Sequence, residues 1–343
     1  MTSLQKAYIL CKNEFCNLKF SQMKNNYCSN ITPKNTMLEK YKPSSLRGKP
    51  EKTQYFEGWF QKVYSKKHQA SFILIYGYAT RNTYDTFGFI QVLIPNEKPK
   101  IVYFPKHELS FDSGQHIVRM GDNCLTMNSI EISTDELDIN LSLMNNHPIP
   151  TFKNSMGYHY YVPTLPCYHS VMNTSHLVSG IIRHNESVYA LDEDMGYMEK
   201  NWGTSFPENY FWIHAVDPYN PQISLLFSIA EIQWLGKRFI KHVGHLRIEG
   251  KHIDLRALKD ISIADRIVSE KKRCVKIKSK ELELDIWITY GNKVTFKGPN
   301  QGHMSRDIFH HTDAIIGISL KQNDKTRMHR LIGNFEHIGS SFI

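Results

Sequence analysis

The chain has 343 residues, 41% hydrophobic and 22% charged, with 42 Lys+Arg against 33 Asp+Glu for a formal charge of +9. These proportions exclude wholesale disorder, collagen-like repetition and a coiled coil, and a chain of this length buries about 75% of its unfolded surface. The basic excess is dispersed, densest at Lys66-Lys67 and Lys271-Lys272-Arg273; with no zinc-finger spacing, RNA-recognition motif or basic helix, no nucleic-acid partner is expected.

Residues 1–40 are rich in Asn, Lys and Cys, show no sustained period, and read as a poorly ordered N-terminal extension. They hold neither the apolar core nor the cleavage pattern of a signal peptide. No apolar run in the chain approaches 18 residues, so no transmembrane segment is expected and the expected location is cytoplasmic. The six cysteines, at 11, 16, 28, 124, 167 and 274, are irregularly spaced, which favours free thiols in a reducing compartment. Without a CxxC pair or a matching fourth ligand, no metal is assigned.

Lys42-Pro43 to Lys49-Pro50 leads into the folded part, and strand signals follow. Ser71–Tyr78 and Phe87–Ile94 are short, aromatic and β-branched, separated by turn residues that include Asn82 and Asp85. Leu137–Leu143 alternates strictly, as a half-buried strand does. Tyr210–Val216, Ile223–Ala230, Val275–Lys278, Leu284–Thr289 and Ala314–Leu320 are further strands. Leu255–Val268 has the one helical period, and reads equally well as strand plus turn. The pattern predicts an all-β chain, sandwich or barrel. Small barrels can enclose a ligand, and two of them would use the available length. No Gly-rich phosphate loop follows a strand, so no nucleotide cofactor is expected. A loose duplication is visible, with an aromatic, acid-containing motif early in each half.

The first motif is Tyr55-Phe56-Glu57-Gly58-Trp59-Phe60. A glutamate among four aromatic residues is either a buried acid, kept protonated by desolvation, or the partner of a nearby lysine such as Lys62. The second is Tyr197-Met198-Glu199-Lys200-Asn201-Trp202-Gly203, followed by Ser205-Phe206-Pro207 and by Tyr210, Phe211 and Trp212. On a strand, Glu199 and Asn201 share one face, opposite Lys200 and Trp202. Among 17 histidines, His169 and His176 lie upstream of this motif and are candidate bases or donors to a ligand oxygen. Cys167 beside His169 lacks a triad context, and His310-His311 and His242-x-x-His245 lack a carboxylate at metal-site spacing.

Together, Tyr55-Phe56-Glu57-Gly58-Trp59, Leu165-Pro166-Cys167-Tyr168-His169-Ser170 and Gly196-Tyr197-Met198-Glu199-Lys200-Asn201-Trp202-Gly203 resemble the tocopherol cyclase family, with Gly302-x-Met304-x-Arg306 and Gly333-Asn334-Phe335-Glu336 falling where that family has similar signatures. The resemblance spans roughly residues 41–343. It implies two lipocalin-like β-barrel domains, 41–205 and 206–343, and closure of a chromanol ring on a prenylated hydroquinone: the tail double bond is protonated and the phenol adds to the tertiary cation. Glu57 or Glu199 would be the acid and His169 or His176 the acceptor of the phenol proton. Trp59, Trp202 and Trp212 would line the cation pocket, and Tyr55, Lys200 and Asn201 complete the expected binding residues. The partner is then an apolar lipid or prenylquinol, without a further cofactor, and the +9 charge is compatible with peripheral contact with anionic membranes. The alternatives are a non-enzymatic binding protein for an isoprenoid lipid and a hydratase using the same protonation step.

Overall fold

The computed structural model describes residues 45–47, 53–112, 116–149 and 155–339. The N-terminal extension, with Cys11, Cys16 and Cys28, lies outside them. Among the described residues, 21 strands and three short 3-10 segments form an all-β protein built on two antiparallel sheets. No helix among them is long and apolar enough to cross a membrane.

The first sheet opens with a meander of β1 (Tyr55–Ser65), β2 (Ala70–Thr80), β3 (Thr86–Leu93) and β4 (Lys100–Pro105). A 3-10 turn at Lys106–Glu108 leads to β5 (Leu109–Asp112), β6 (Ile117–Met120), β7 (Asn123–Leu125), β8 (Ser129–Ser133), β9 (Leu137–Met144), β10 (Cys167–His184) and β11 (Ser187–Gly203). β11 pairs back onto β1, so the two edge strands, β4 and β5, are neighbours along the chain and the sheet curls into a barrel.

The second sheet repeats this route. β12 (Tyr210–Asp217), β13 (Asn220–Trp234), β14 (Lys237–Ile248) and β15 (Lys251–Asp254) form the meander, and Leu255–Ala257 is the 3-10 turn. β16 (Ser262–Ser269), β17 (Lys272–Lys278), β18 (Glu283–Thr289), β19 (Asn292–Asn300), β20 (His303–Gln322) and β21 (Lys325–Ile338) follow, and β21 pairs onto β12. β19 pairs with β20 off the main path. The ambiguous stretch from Leu255 is thus a turn followed by a strand. Asp254 caps the turn by accepting from the Arg256 amide, and no helix forms.

Alternation sets the cores. Ile139, Leu141 and Leu143 of β9 point inward to Trp59, Ile90, Val118 and Ile130, and Leu284, Ile286 and Ile288 of β18 meet Phe211, Leu225, Val275 and Ile316. β1 and β12 do not alternate because both their faces are covered. One face looks into its own barrel; the other meets the opposite sheet. In that junction Phe60, Val171 and Tyr197 pack against Trp212, Leu226 and Phe296. Polar bonds cross it too. The Gln91 side chain donates to the Lys297 carbonyl at 2.8 Å and accepts from the Lys297 amide at 2.9 Å, copying a strand pairing between sheets.

Candidate functional site

A cavity of about 670 Å3 lies in the junction and not inside either barrel. Phe56, Gly58 and Phe60 of β1 with Phe89 of β3 wall it on the first sheet, and Tyr210, Trp212, Ile232 and Ile308 on the second. The wall is therefore mostly apolar; the last two strands of the first sheet add His169, Glu199 and Asn201, β21 adds Glu336, and Ser228 of β13, Lys241 and His242 of β14 and Arg256 of the turn after β15 add further polar groups.

Glu199 on β11 is the first of these, and it shares the cavity face with Asn201. Its Oε2 meets His169 Nε2 at 2.8 Å, the Tyr197 hydroxyl at 2.5 Å and Trp212 Nε1 at 3.0 Å, while Asn201 Nδ2 donates to Oε1 at 3.1 Å. Strand pairing explains the convergence. His169 of β10 lies opposite Asn201, and Tyr197 is two residues from Glu199 on the same face. Burial pushes the Glu199 carboxyl up, but the charge and hydrogen bond of His169, with the Tyr197 and Asn201 donors, outweigh it and hold the group below the usual carboxylate range. Burial and the adjoining Glu199 push Tyr197 far up, so it remains a phenol donor. His169 also lines the cavity, and with Nε2 on the carboxylate its buried Nδ1 has no hydrogen-bond partner among the described residues.

Glu57, the other candidate acid, is placed outside the cavity wall. It and Lys200 are both fully buried, 2.5 Å apart, on the face of β1 and β11 turned away from the junction. The Arg47 amide donates to both Glu57 oxygens at 2.9 and 3.0 Å, and the hydroxyls of Tyr55 and Tyr78 reach Oε2 at 3.0 and 3.2 Å. The Lys200 ammonium also donates to the Ser45 carbonyl and lies over the rings of Trp59 and Trp202, at 5.2 and 5.1 Å. Burial pushes Lys200 down to about 8, against the upward pull of Glu57. Tyr55, Glu57, Lys200 and Trp202 are thus gathered into one buried charge cluster, while Glu199, Asn201, His169 and Trp212 are gathered at the cavity. Trp59 borders the cavity along β1, but its ring lies on the barrel side of the strand, stacked on Tyr76 and beneath the Lys200 ammonium. Lys62 does not partner Glu57, because an odd spacing along a strand puts the two on opposite faces.

His176 stands apart from both groups. It is buried over Gly196, with Nε2 2.7 Å from Gln61 Nε2, and burial pushes it down to about 3. Cys167 does line the cavity, but burial, with Glu199 nearby, pushes its thiol up to about 12, so it is not a ready nucleophile. Among the described residues no group of three or more His, Cys, Asp and Glu is placed to hold a metal.

The sequence reading missed one cavity carboxylate as a site residue, Glu336 of β21, which accepts from the Tyr210 hydroxyl at 2.6 Å and lies 2.7 Å from His310 Nδ1. It is the counterpart of Glu199. Each glutamate lies on the last strand of its sheet, with its histidine on the strand before. The signal was present as Gly196-x-x-Glu199 and Gly333-x-x-Glu336, and in Tyr55-Phe56 and Tyr210-Phe211, which open the first strand of each sheet. The duplication expected between Glu57 and Glu199 joins instead two strands of one sheet, with Glu57 opposite Trp202 and Glu199 opposite Phe60.

Residues 145–247, which carry His169, Glu199 and Trp212, match the tocopherol cyclase-like family model. No curated protein matches the sequence. Kievitone hydratase from Nectria haematococca has a similar structure, with a TM-score of 0.53 at 10% identity over 90% of this chain and 94% of that one. A candidate AttH from Nitrosomonas europaea gives a TM-score of 0.49 at 12% identity over 82% of this chain and 91% of that one. At such identities the likeness is one of fold.

Proposed function

We propose that the protein adds an oxygen nucleophile across a double bond of an isoprenoid-like substrate held in the junction cavity, as in ring closure on a prenylated hydroquinone. The observation that carries this reading is the Glu199–His169 pair on a mostly apolar wall, with His169 Nδ1 lacking a hydrogen-bond partner among the described residues. Glu199, as a carboxylate, supports a protonated His169 that delivers a ring proton to the alkene carbon. A C–H bond forms and the neighbouring carbon becomes a tertiary cation. The faces of Phe60 and Trp212 stabilise that cation, and the apolar wall keeps bulk water from capturing it. The hydroxyl oxygen then forms the C–O bond and releases its proton.

The match to the tocopherol cyclase-like model over the segment that holds the pair supports the ring-closing version. Water as the nucleophile would give hydration by the same first step, the activity named for the structurally similar kievitone hydratase. A carrier without chemistry would use the same apolar wall. Incubation with a prenylated hydroquinone in D2O, followed by mass spectrometry, separates the three. Ring closure gives an isomer carrying one carbon-bound deuterium, hydration gives a product with one carbon-bound deuterium and an added hydroxyl, and a carrier returns the lipid unaltered. Glu199→Gln should slow turnover by roughly 10²–10⁴-fold; wild-type turnover in that variant would refute the assignment.

A further inference from the structure

We propose that Tyr210 and Glu336 form a second acid–base station in the same cavity, which binds the substrate's hydroxyl and takes its proton as the C–O bond forms. It rests on the function proposed for the Glu199–His169 pair and deepens it, because it assigns the step that the pair leaves open. Glu199 has little capacity left to accept that proton, since four donors already occupy its two oxygens. Glu336 lines the same cavity beyond Trp212, whose Nε1 is bonded to Glu199 while its ring lies 5.9 Å from that of His310.

The hydrogen-bond directions behind Glu336 follow from one fixed point. The Lys62 amine, which burial pushes down to about 7, donates to the His214 carbonyl at 3.0 Å and to Asn334 Oδ1 at 3.5 Å, where Ser71 also donates at 3.4 Å. Asn334 Oδ1 is therefore an acceptor, and its Nδ2, 3.0 Å from His310 Nε2, is the donor. His310 must then carry its proton on Nδ1, which donates to Glu336 Oε1 at 2.7 Å. The Tyr210 hydroxyl donates to Oε2 at 2.6 Å. Glu336 is thus held as an acceptor by two donors, and the phenol oxygen of Tyr210 keeps its lone pairs for a hydroxyl in the cavity. Lys62, Asn334 and His310, all fully buried, are positioning residues behind it.

The step balances. As the substrate oxygen bonds to the cation, its proton passes to the Tyr210 oxygen and the Tyr210 proton passes to Glu336, which becomes a carboxylic acid. With the proton given by His169, the net change is addition of O–H across C=C. Two stations divided by Trp212 select one substrate class, an apolar alkene carrying or accompanied by a hydroxyl that reaches Tyr210.

Tyr210→Phe, Glu336→Gln and Glu199→Gln are compared in D2O with a geranylgeranyl-substituted methylhydroquinone under reducing conditions. Tyr210→Phe and Glu336→Gln should slow ring closure at least tenfold yet still exchange deuterium into the tail alkene, since the cation forms and reverts. Glu199→Gln should lose both. The proposal is overturned if Glu336→Gln closes the ring at the wild-type rate, or if it loses exchange and closure together as Glu199→Gln does. Binding of the saturated-tail hydroquinone and of its dimethyl ether is measured in parallel. The wild type should prefer the hydroquinone at least tenfold, and Tyr210→Phe should erase the preference. A preference without turnover would refute the reaction and leave the hydroxyl station standing; neither preference nor turnover would refute both. Asn334→Leu should shift the His310 ring away from its Nδ1–H tautomer, read by 15N NMR, and an unchanged tautomer would exclude the positioning role.

Discussion

Replacing Lys200 by Met separates the role of the Glu57 cluster from that of the cavity. In the native chain Glu57 and Lys200 have no solvent-accessible side-chain surface. Without the ammonium, the Glu57 carboxylate loses the 2.5 Å ion pair with Lys200, while the Arg47 amide and the hydroxyls of Tyr55 and Tyr78 still donate to it. Removing one partner of a buried ion pair costs about 3–5 kcal/mol, because the other is stranded without a counter-charge. At roughly 2–4 °C per kcal/mol for a unit of this size, the first sheet should lose about 6–20 °C in Tm. Denaturant unfolding followed by tryptophan fluorescence measures the change. The double variant Glu57→Gln with Lys200→Met should recover most of it, since neither member of the ion pair is then left buried without the other. Turnover per folded molecule of Lys200→Met should stay within about threefold of wild type, because the pair lies outside the cavity wall. A loss below about 1 kcal/mol in the single variant, or no recovery in the double, would refute this account of the cluster.

Two further outcomes follow from buried histidines. A Cβ added at Gly196 would lie 2.3 Å from His176 Nε2 and 2.7 Å from Val178 Cγ2, so Gly196→Ala should break the contact between Gln61 and His176 and cost about 1–3 kcal/mol in denaturant unfolding; adding His176→Ala should recover part of that cost, leaving the Val178 contact, and a fully stable single variant would contradict the packing. Burial pushes His176 and His245 down to about 3 and His214 well below its ordinary value, so between about pH 6.5 and 3 the unfolded chain binds more protons than the folded one. Their contribution is fully present above pH 6.5 and is lost as pH falls, at up to about 1.4 kcal/mol per pH unit for each histidine. Denaturant midpoints at pH 7.5, 6 and 5 that failed to fall would exclude this linkage.

Each of the eight strands expected from β-branched and aromatic runs lies within or closely overlaps a strand of the structure. Local pattern is least informative where tertiary contact overrides it. β1 and β12 are covered on both faces and lose the period-2 signal, and β10 and β11 are long, with register shifts that break alternation. The Glu57–Lys200 ion pair was illegible because it depends on pairing β1 with β11, some 140 residues later. Alternation alone did separate Glu199 and Asn201 from Lys200 and Trp202, since it needs only the strand. The cavity could not be read at all, because it belongs to the junction and to neither sheet. Glu336 stands out in the sequence only as part of a signature, because a single aromatic, Phe335, adjoins it and the tryptophan found near Glu57 and Glu199 is missing.

Since both sheets contribute to the cavity wall, an occupant acts as a cross-brace whose binding free energy belongs to the interface between them. Each sheet has its own apolar interior, so without an occupant the two have the means to melt as partly separate units. A tightly bound substrate or product couples them by mass action. Ligand addition should therefore narrow the thermal transition as well as raise it, and cooperativity itself becomes a readout of occupancy.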